Sequence, residues 1–64
     1  MKKSIENALV IARDMSEYSP GRPIWVIDRI SMWARVVVCK GHLEELLSHG
    51  WKLVAEFENG ERTR

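Results

Sequence analysis

The stretch ARVVVCKGHLEELLSHGWKLVAEF, residues 34–57, determines most of the predicted fold. Its β-branched run predicts a strand over residues 35–40, and the leucines that follow recur on one helical stripe over residues 42–49. Gly50 stands where helices commonly end in a left-handed conformation, and an alternating strand pattern begins at Trp51. The rest of the chain is expected to cover the apolar faces of this strand–helix–strand unit.

The remaining segments predict one more helix and one more strand. Apolar residues recur at helical spacing over residues 4–19, with Ser4 as the expected N-cap, until the sequence SPGRP ends the helix. Residues 24–27 are apolar at odd and even positions alike, which is typical of a central strand. Residues 28–32 form the predicted turn, where a bulge and a simple hairpin fit equally well. Residues 59–64 are expected to be a frayed tail after a turn dipeptide.

Together these segments predict a single small α+β domain over residues 1–64, with the element order α-β-β-α-β. A right-handed crossover places the third strand beyond the first and parallel to the second, so the strand order becomes 2-1-3. Both helices are expected on one face of this three-stranded sheet, which makes a two-layer sandwich. Alternate apolar residues of the third strand, from Trp51 to Phe57, are expected to share one face. Outside the first two strands, the residues expected to be most buried are Leu9, Ala12, Leu43, Leu46, Leu47 and Leu53.

Composition limits the class of protein. The chain has 64 residues and a net charge of +1 with the signs interspersed, so the sequence lacks the basic footprint of a nucleic-acid-binding protein. A single cysteine excludes an internal disulfide and favours a reducing, cytoplasmic location. The apolar runs are far shorter than a membrane span. A domain of this size has a thin core, which favours stabilisation by a partner.

Three residues carry the side chains of a possible metal site or thiol nucleophile. Cys39 and His42 form a C-x-x-H pair, and His49 lies two helical turns further on. A zinc site takes four protein ligands, or three with an open position, and the two histidines flank the helix rather than converge on the cysteine. A nucleophile would need an orienting acid, for which Asp28 is the candidate, and a concave pocket. We therefore expect a buried strand cysteine and helix-end histidines, with no metal, no cofactor and no catalysis.

Nucleic-acid or nucleotide binding is an alternative function. Sheets that bind single-stranded nucleic acid stack bases on aromatic rings and contact phosphates with basic side chains. The glycine–aromatic motif of the known RNA-binding sheets is missing from the sequence, and the net charge gives little electrostatic steering. The residues that would serve are Trp25, Trp33 and Trp51, with Arg22, Arg29, Arg35, Lys40 and Lys52.

The preferred function is that of a non-catalytic protein-interaction module. A sheet covered by helices on one face leaves its other face exposed, and that face is expected to carry apolar residues of the first two strands. Contiguous exposed apolar patches usually mark binding sites, and tryptophan and arginine are enriched in binding hot spots. The expected partner-binding residues are Trp25, Arg29, Trp33, Arg35 and Val37.

Residues 34–54 resemble a unit of small bacteriophage and mobile-element proteins: a valine-rich strand, a Leu-Glu-Glu-Leu-Leu helix and a Gly-Trp pair that opens the next strand. The residues that carry the resemblance, Leu46, Leu47, Gly50 and Trp51, are structural, so it transfers no site. What it implies is an accessory protein that binds and modulates a host or defence-system component, as anti-CRISPR proteins and related inhibitors do.

Self-association is a further expectation. In the order 2-1-3 the second strand is an edge, and it carries Val36, Val37 and Val38 with no proline or interrupting charge. Such an edge favours an isologous homodimer, formed edge to edge through this strand or face to face through the open sheet. The alternative is that the same surface binds a different protein.

Overall fold

The computed structural model of the chain describes residues 2–64 as two helices and four strands. The helices are α1 (Lys3–Tyr18) and α2 (Lys40–Ser48), and the strands are β1 (Ile24–Asp28), β2 (Arg35–Val37), β3 (Lys52–Glu58) and β4 (Glu61–Arg62). The α+β class is confirmed. The sheet has four strands rather than the predicted three, because β4 follows the five predicted elements.

The four strands form one antiparallel sheet in the order β2-β1-β3-β4. β1 pairs with β2, where Val26 lies opposite Val36, and with β3, where Val26 lies opposite Ala55. Both pairings are antiparallel, so β2 and β3 run parallel to each other on the two sides of β1, and the predicted arrangement 2-1-3 is confirmed. The burial of β1 on both faces explains why its sequence is apolar at every position from Ile24 to Ile27.

The two helices lie on opposite faces of the sheet. The α1-face cluster consists of Ala8, Ala12, Ile24, Val26, Ala55 and Phe57. The α2-face cluster consists of Trp25, Ile27, Val37, Leu43 and Trp51. Consecutive strand residues point to opposite faces, so Ile24 and Val26 belong to the α1-face cluster, whereas Trp25 and Ile27 belong to the α2-face cluster. The prediction that both helices cover one face is therefore wrong, because α1 already covers one side of β1 and the crossover through α2 uses the other.

β3 does not keep one facing along its length. Its pairing with β1 shifts register between Val26 and Ile27, whose partners are Ala55 and Leu53, so Val54 is passed over as in a β-bulge. Leu53 consequently packs against the α2-face cluster, whereas Ala55 belongs to the α1-face cluster. The prediction that alternate apolar residues of this strand share one face is wrong for this reason.

α2 ends at the glycine that the sequence indicates. Gly50 has a φ of +94°. Its N–H donates to Leu47 O at 3.4 Å, and the Trp51 N–H donates to Leu46 O at 3.2 Å, which is the pattern of a Schellman motif. This turn places the Trp51 ring in the α2-face cluster directly after the helix.

The C-terminal segment forms a hairpin instead of the frayed tail expected for residues 59–64. Asn59 and Gly60 have φ values of 54° and 80°, the combination found in a type I′ turn. β4 then pairs with the end of β3. The Gly60 N–H also donates to the hydroxyl of the fully buried Ser16 at 2.9 Å, which fixes the turn against α1. A strand of two residues is too short to leave a sequence pattern.

β2 is shorter than predicted, and Cys39 is exposed. Strand pairing ends at Val37, and Cys39 directly precedes α2, whose first residue is Lys40. The expectation of a buried strand cysteine is wrong because the chain leaves the sheet before reaching it. Among the residues expected to be buried, Ala12 and Leu43 are buried, Leu9, Leu46 and Leu53 are half-buried, and Leu47 is exposed.

Candidate interaction surface

The loop between β1 and β2, residues 29–34, displays apolar side chains in solvent. Ile30 is 85% exposed, Trp33 is 80% exposed, and Met32 is exposed as well. The Met32 N–H donates to Arg29 O at 3.0 Å, which closes a turn in which Ser31 adopts a φ of +67°. Positive φ is uncommon for a residue other than glycine, so neighbouring structure must hold this turn.

Lys2 holds the 29–34 loop in place. Its ammonium nitrogen lies 3.2 Å from Asp28 Oδ1, 3.2 Å from Arg29 O and 3.3 Å from Met32 O. A lysine ammonium has three N–H donors, which matches these three acceptors. The exposed apolar side chains are therefore presented on a loop of fixed geometry, which lowers the entropy lost on binding.

A cavity lies on each side of this loop. One has a volume of about 500 Å³ and is lined by Asp28, Arg29, Ile30, Gly50, Lys52 and Val54. The other, called here the Trp33 cavity, has a volume of about 370 Å³ and is lined by Lys2, Lys3, Ser4, Ser31, Met32 and Trp33. Both contain apolar and basic side chains, and the first also contains Asp28. The lining of the Trp33 cavity suits a partner that is apolar and acidic.

Basic side chains lie near β2, and the two helices that pack against this strand carry acidic side chains. Lys2 and Lys3 line the Trp33 cavity, Arg35 lies in β2, and Lys40 follows at the start of α2. Asp28 is close to this group but is paired with Lys2 at 3.2 Å. The other acidic residues belong to α1, α2 and the β3–β4 hairpin, namely Glu6, Asp14, Glu17, Glu44, Glu45, Glu56, Glu58 and Glu61. Among residues 2–64, the side chains that line the Trp33 cavity include two lysines and no acidic residue.

The structure divides the five predicted partner-binding residues into buried and exposed groups. Trp25 and Val37 belong to the α2-face cluster, and Trp25 is only 5% exposed. Arg29 and Trp33 lie in the exposed 29–34 loop. Arg35 is exposed, and its guanidinium makes a cation–π contact with a tryptophan of the α2-face cluster. The open sheet face expected to unite these residues is absent from the described fold because α2 packs there, and their role in binding stays a prediction.

Sequence reasoning missed Ile30, Met32 and Lys2 as members of this surface. The first two are apolar residues inside a predicted surface turn, and that mismatch between side chain and position was a readable signal. The role of Lys2 leaves no sequence signal, because its acceptors lie in residues 28–32, far along the chain.

The candidate metal or nucleophile residues do not assemble into a site. Cys39 is exposed just before α2, and the exposed His42 and His49 lie near the two ends of that helix. Within residues 2–64, no group of three or more His, Cys, Asp or Glu side chains is placed to hold a metal ion. The expectation of a protein without metal, cofactor or catalysis stays a prediction.

A polar network around Glu56 of β3, on the side of β1 away from β2, links the sheet to the C-terminal segment. Arg64 Nε and Trp25 Nε1 donate to Glu56 Oε1 at 3.2 Å and 2.7 Å, and the Thr63 hydroxyl donates to Oε2 at 3.0 Å. The hydrogen bond from Arg64 is the largest cause of a lowered pKa of Glu56; burial opposes it, and the bonds from Trp25 and Thr63 add to it. The network therefore favours the charged carboxylate.

Acidification is expected to destabilise the domain through Glu56. The pKa of Glu56 is lower in the folded chain than its ordinary value of 4.5, so its stabilising contribution is complete above that value and is lost as the pH falls through the lowered folded value. Urea unfolding between about pH 7 and about pH 3 measures this loss, which should be larger in the wild type than in Glu56→Gln. Equal losses in both proteins would contradict the role given to this carboxylate.

These features define a small α+β domain with an exposed apolar loop between β1 and β2. Comparison with known proteins adds no family, since no family profile, curated protein or solved structure matches the chain significantly. Within residues 2–64, no helix combines the length and the apolar character needed to cross a membrane.

Proposed function

We propose that the chain is a non-catalytic protein-interaction module that contacts its partner through the 29–34 loop. The observation that carries this proposal is the 80% exposure of Trp33. Trp25 and Trp51 are buried in the α2-face cluster, whereas the ring of Trp33 contributes little to the core. Tryptophan offers a large apolar contact area with few rotatable bonds, and it is strongly enriched in binding hot spots.

The surroundings of Trp33 also support a protein partner. Ile30 and Met32 extend the apolar area, while Lys2 and Arg29 lie in the walls of the two adjacent cavities. An apolar centre with a charged rim is the usual anatomy of a protein–protein interface. The basic rim favours a partner that presents acidic side chains.

The narrower proposal is that the module belongs to a bacteriophage or mobile element and inhibits a host or defence-system component. Its support is the resemblance of residues 34–54 to small phage proteins. The exposed thiol of Cys39 supports a reducing, cytoplasmic location. The resemblance depends on the Gly50–Trp51 turn, which places Trp51 in the α2-face cluster and not on the 29–34 loop. The resemblance and the exposed loop therefore support the proposal independently.

Nucleic-acid or nucleotide binding is the weaker candidate. A base-stacking platform uses several exposed rings, and the burial of Trp25 and Trp51 argues against such a platform. Trp33 beside Lys2 and Lys3 supplies one stacking position next to basic side chains, which is the observation that keeps this candidate.

A photo-crosslinker at Ile30 is expected to trap the partner. Ile30 is 85% exposed, so benzoylphenylalanine at this position leaves the core unchanged. Irradiation of cells that naturally express the chain should yield a discrete protein adduct, identified by mass spectrometry. Adding Trp33→Ala should reduce the adduct about tenfold or more, since truncation of a hot-spot residue costs at least about 2 kcal/mol of binding free energy.

Val10 supplies the matched control, because it is exposed on α1 and lines neither cavity beside the loop. The crosslinker at Val10 should not give this adduct, and Val10→Ala should not reduce the adduct from Ile30. An adduct that is independent of Trp33, or the absence of any adduct, would overturn the proposal. The melting temperature of Trp33→Ala must match the wild type, which separates loss of binding from loss of folding.

A further inference from the structure

β2 is an edge strand, with a partner strand on one side only among the described residues. It pairs with β1 at the end of the order β2-β1-β3-β4. Natural edge strands commonly carry a charge that prevents pairing with another chain. The charged residue of β2 is Arg35, and its guanidinium carbon lies 5.6 Å from the centre of the Trp51 ring. Trp51 directly precedes β3, which lies on the other side of β1 from β2. The Arg35 side chain is therefore turned away from the outer edge of β2, and it does not block the approach of a further strand to that edge.

α1 packs beside β2, and the space between them at this edge is called here the groove. At one end the Ala34 N–H donates to Ser4 Oγ at 3.3 Å, and at the other end Met15 and Val38 line a cavity of about 230 Å³. α1 and β2 therefore run side by side in the same direction. Ile11 lies on the same helical flank as Ser4 and Met15, and it is exposed together with Met15 and Val38.

The groove has apolar walls and basic ends. The Trp33 cavity at its first end is lined by Lys3 and by Lys2, whose ammonium is paired with Asp28, and the cavity at its second end is lined by Arg22. In the part of the chain that the structure describes, Lys3 and Arg22 form no ion pair. Among residues 2–64, no acidic side chain lines either of these two cavities. A second copy of the chain, related by a two-fold axis, would bring like charges together at an energetic cost. An acidic strand supplies the complementary charge instead.

We propose that β2 accepts an extended, acidic segment of a partner protein by β-strand addition. The segment hydrogen-bonds to the outer backbone of β2 and directs alternate apolar side chains towards Ile11 and Val38, while its carboxylates reach the basic ends of the groove. An extended chain rises about 3.3 Å per residue, so a segment of about six residues spans the distance from Trp33 to Val38. This inference rests on the proposed protein-binding function and specifies the chemistry of the partner.

A synthetic peptide tests the inference without the natural partner. The probe is the blocked heptapeptide Asp-Leu-Thr-Val-Thr-Leu-Glu, in which apolar and polar residues alternate between two acids. Calorimetry should detect binding of this peptide, with an affinity about tenfold higher than that of a control peptide in which lysine replaces both acids. In NMR spectra of the protein, the amide signals that shift when the peptide is added should be those of residues 34–38. Of two forms N-methylated at odd or at even positions, one should lose binding and the other keep it, because strand pairing uses alternate N–H groups.

Val38 and Val10 provide a matched pair of protein variants, since each is 61% exposed. Val38→Glu introduces a like charge into the groove and should weaken binding of the acidic peptide about tenfold or more, whereas Val10→Glu should leave its Kd unchanged.

No binding of the acidic peptide, equal binding of the lysine form, or amide shifts outside the groove would overturn the inference. A dimer in sedimentation equilibrium that Val38→Glu dissociates would also overturn it, because a second copy would then occupy the edge. None of these measurements uses the crosslinked partner, so this inference and the proposed function can fail separately.

Discussion

Replacing Trp25 with alanine is expected to lower the free energy of unfolding by about 3–5 kcal/mol, the usual result of truncating a buried aromatic side chain. Trp25 lies in the central strand, is 5% exposed and packs with Ile27 and Val37. Its indole N–H also donates to Glu56, so the substitution removes a hydrogen bond as well as packing. A domain of this length has a total stability of roughly 3–10 kcal/mol, so the substitution removes from about a third to all of it. Urea titration followed by circular dichroism should find the midpoint shifted far towards lower urea concentration, or no folded baseline at all.

Trp33→Ala is the matched control, because it removes the same side chain at a position that is 80% exposed. It should change the free energy of unfolding by less than about 0.5 kcal/mol. Trp25→Phe separates the two contributions, since it keeps most of the packing while Glu56 retains Thr63 and Arg64 as donors. Comparable destabilisation by Trp25→Ala and Trp33→Ala would contradict the assignment of one tryptophan to the core and the other to the surface.

The parts of the fold that leave a local sequence signal were predicted. The run from Ile24 to Ile27 is apolar at every position, which requires cover on both faces, and β1 is indeed the strand between β2 and β3. Gly50 marks the end of α2 because its left-handed conformation is rarely adopted by other residues, and its φ is +94°. Both inferences needed only the chemistry of a short segment.

The face on which α2 packs leaves no such signal. Its leucines can pack against either side of a sheet, and the choice depends on α1, which occupies one side of β1. The bulge at Val54 decides which side chains of β3 meet each helix. Leu53, Val54 and Ala55 are all apolar, so the pattern cannot reveal which of them is passed over.

The candidate site was predicted in part, because residue type does not distinguish a core tryptophan from a surface tryptophan. Trp25 and Trp33 were selected by the same criterion, yet one is buried and the other is exposed on a loop. The difference arises from the end of β1 at Asp28, after which the chain leaves the sheet. The contribution of Lys2 depends on a tertiary contact that brings α1 against this loop.

Deletion of residues 60–64 is expected to destabilise the domain by about 2–4 kcal/mol, given a net contribution of about 1 kcal/mol per hydrogen bond and a partial offset from the entropy of ordering the segment. The Thr63 N–H donates to Glu56 O at 2.8 Å, and the Glu56 N–H donates to the main-chain oxygen of Arg64 at 3.1 Å. The deletion also removes the Gly60 N–H that bonds to the buried hydroxyl of Ser16. A frayed tail would make none of these contacts, and its removal would leave stability unchanged.

Glu61→Ala is the control for this deletion, because it shortens an exposed side chain of β4 and keeps the backbone pairing. Urea unfolding should separate the two variants, with the alanine variant within about 0.5 kcal/mol of the wild type. Amide hydrogen exchange supplies a residue-level test, since the Glu56 N–H loses its acceptor only in the truncated chain and should exchange much faster there. The Val26 amide, in the central strand, should then exchange at a rate set by global unfolding and report the lower stability of the whole domain. If the Glu56 amide stays protected from exchange after truncation, the C-terminal segment does not supply its hydrogen-bond acceptor, and β4 adds nothing to the sheet.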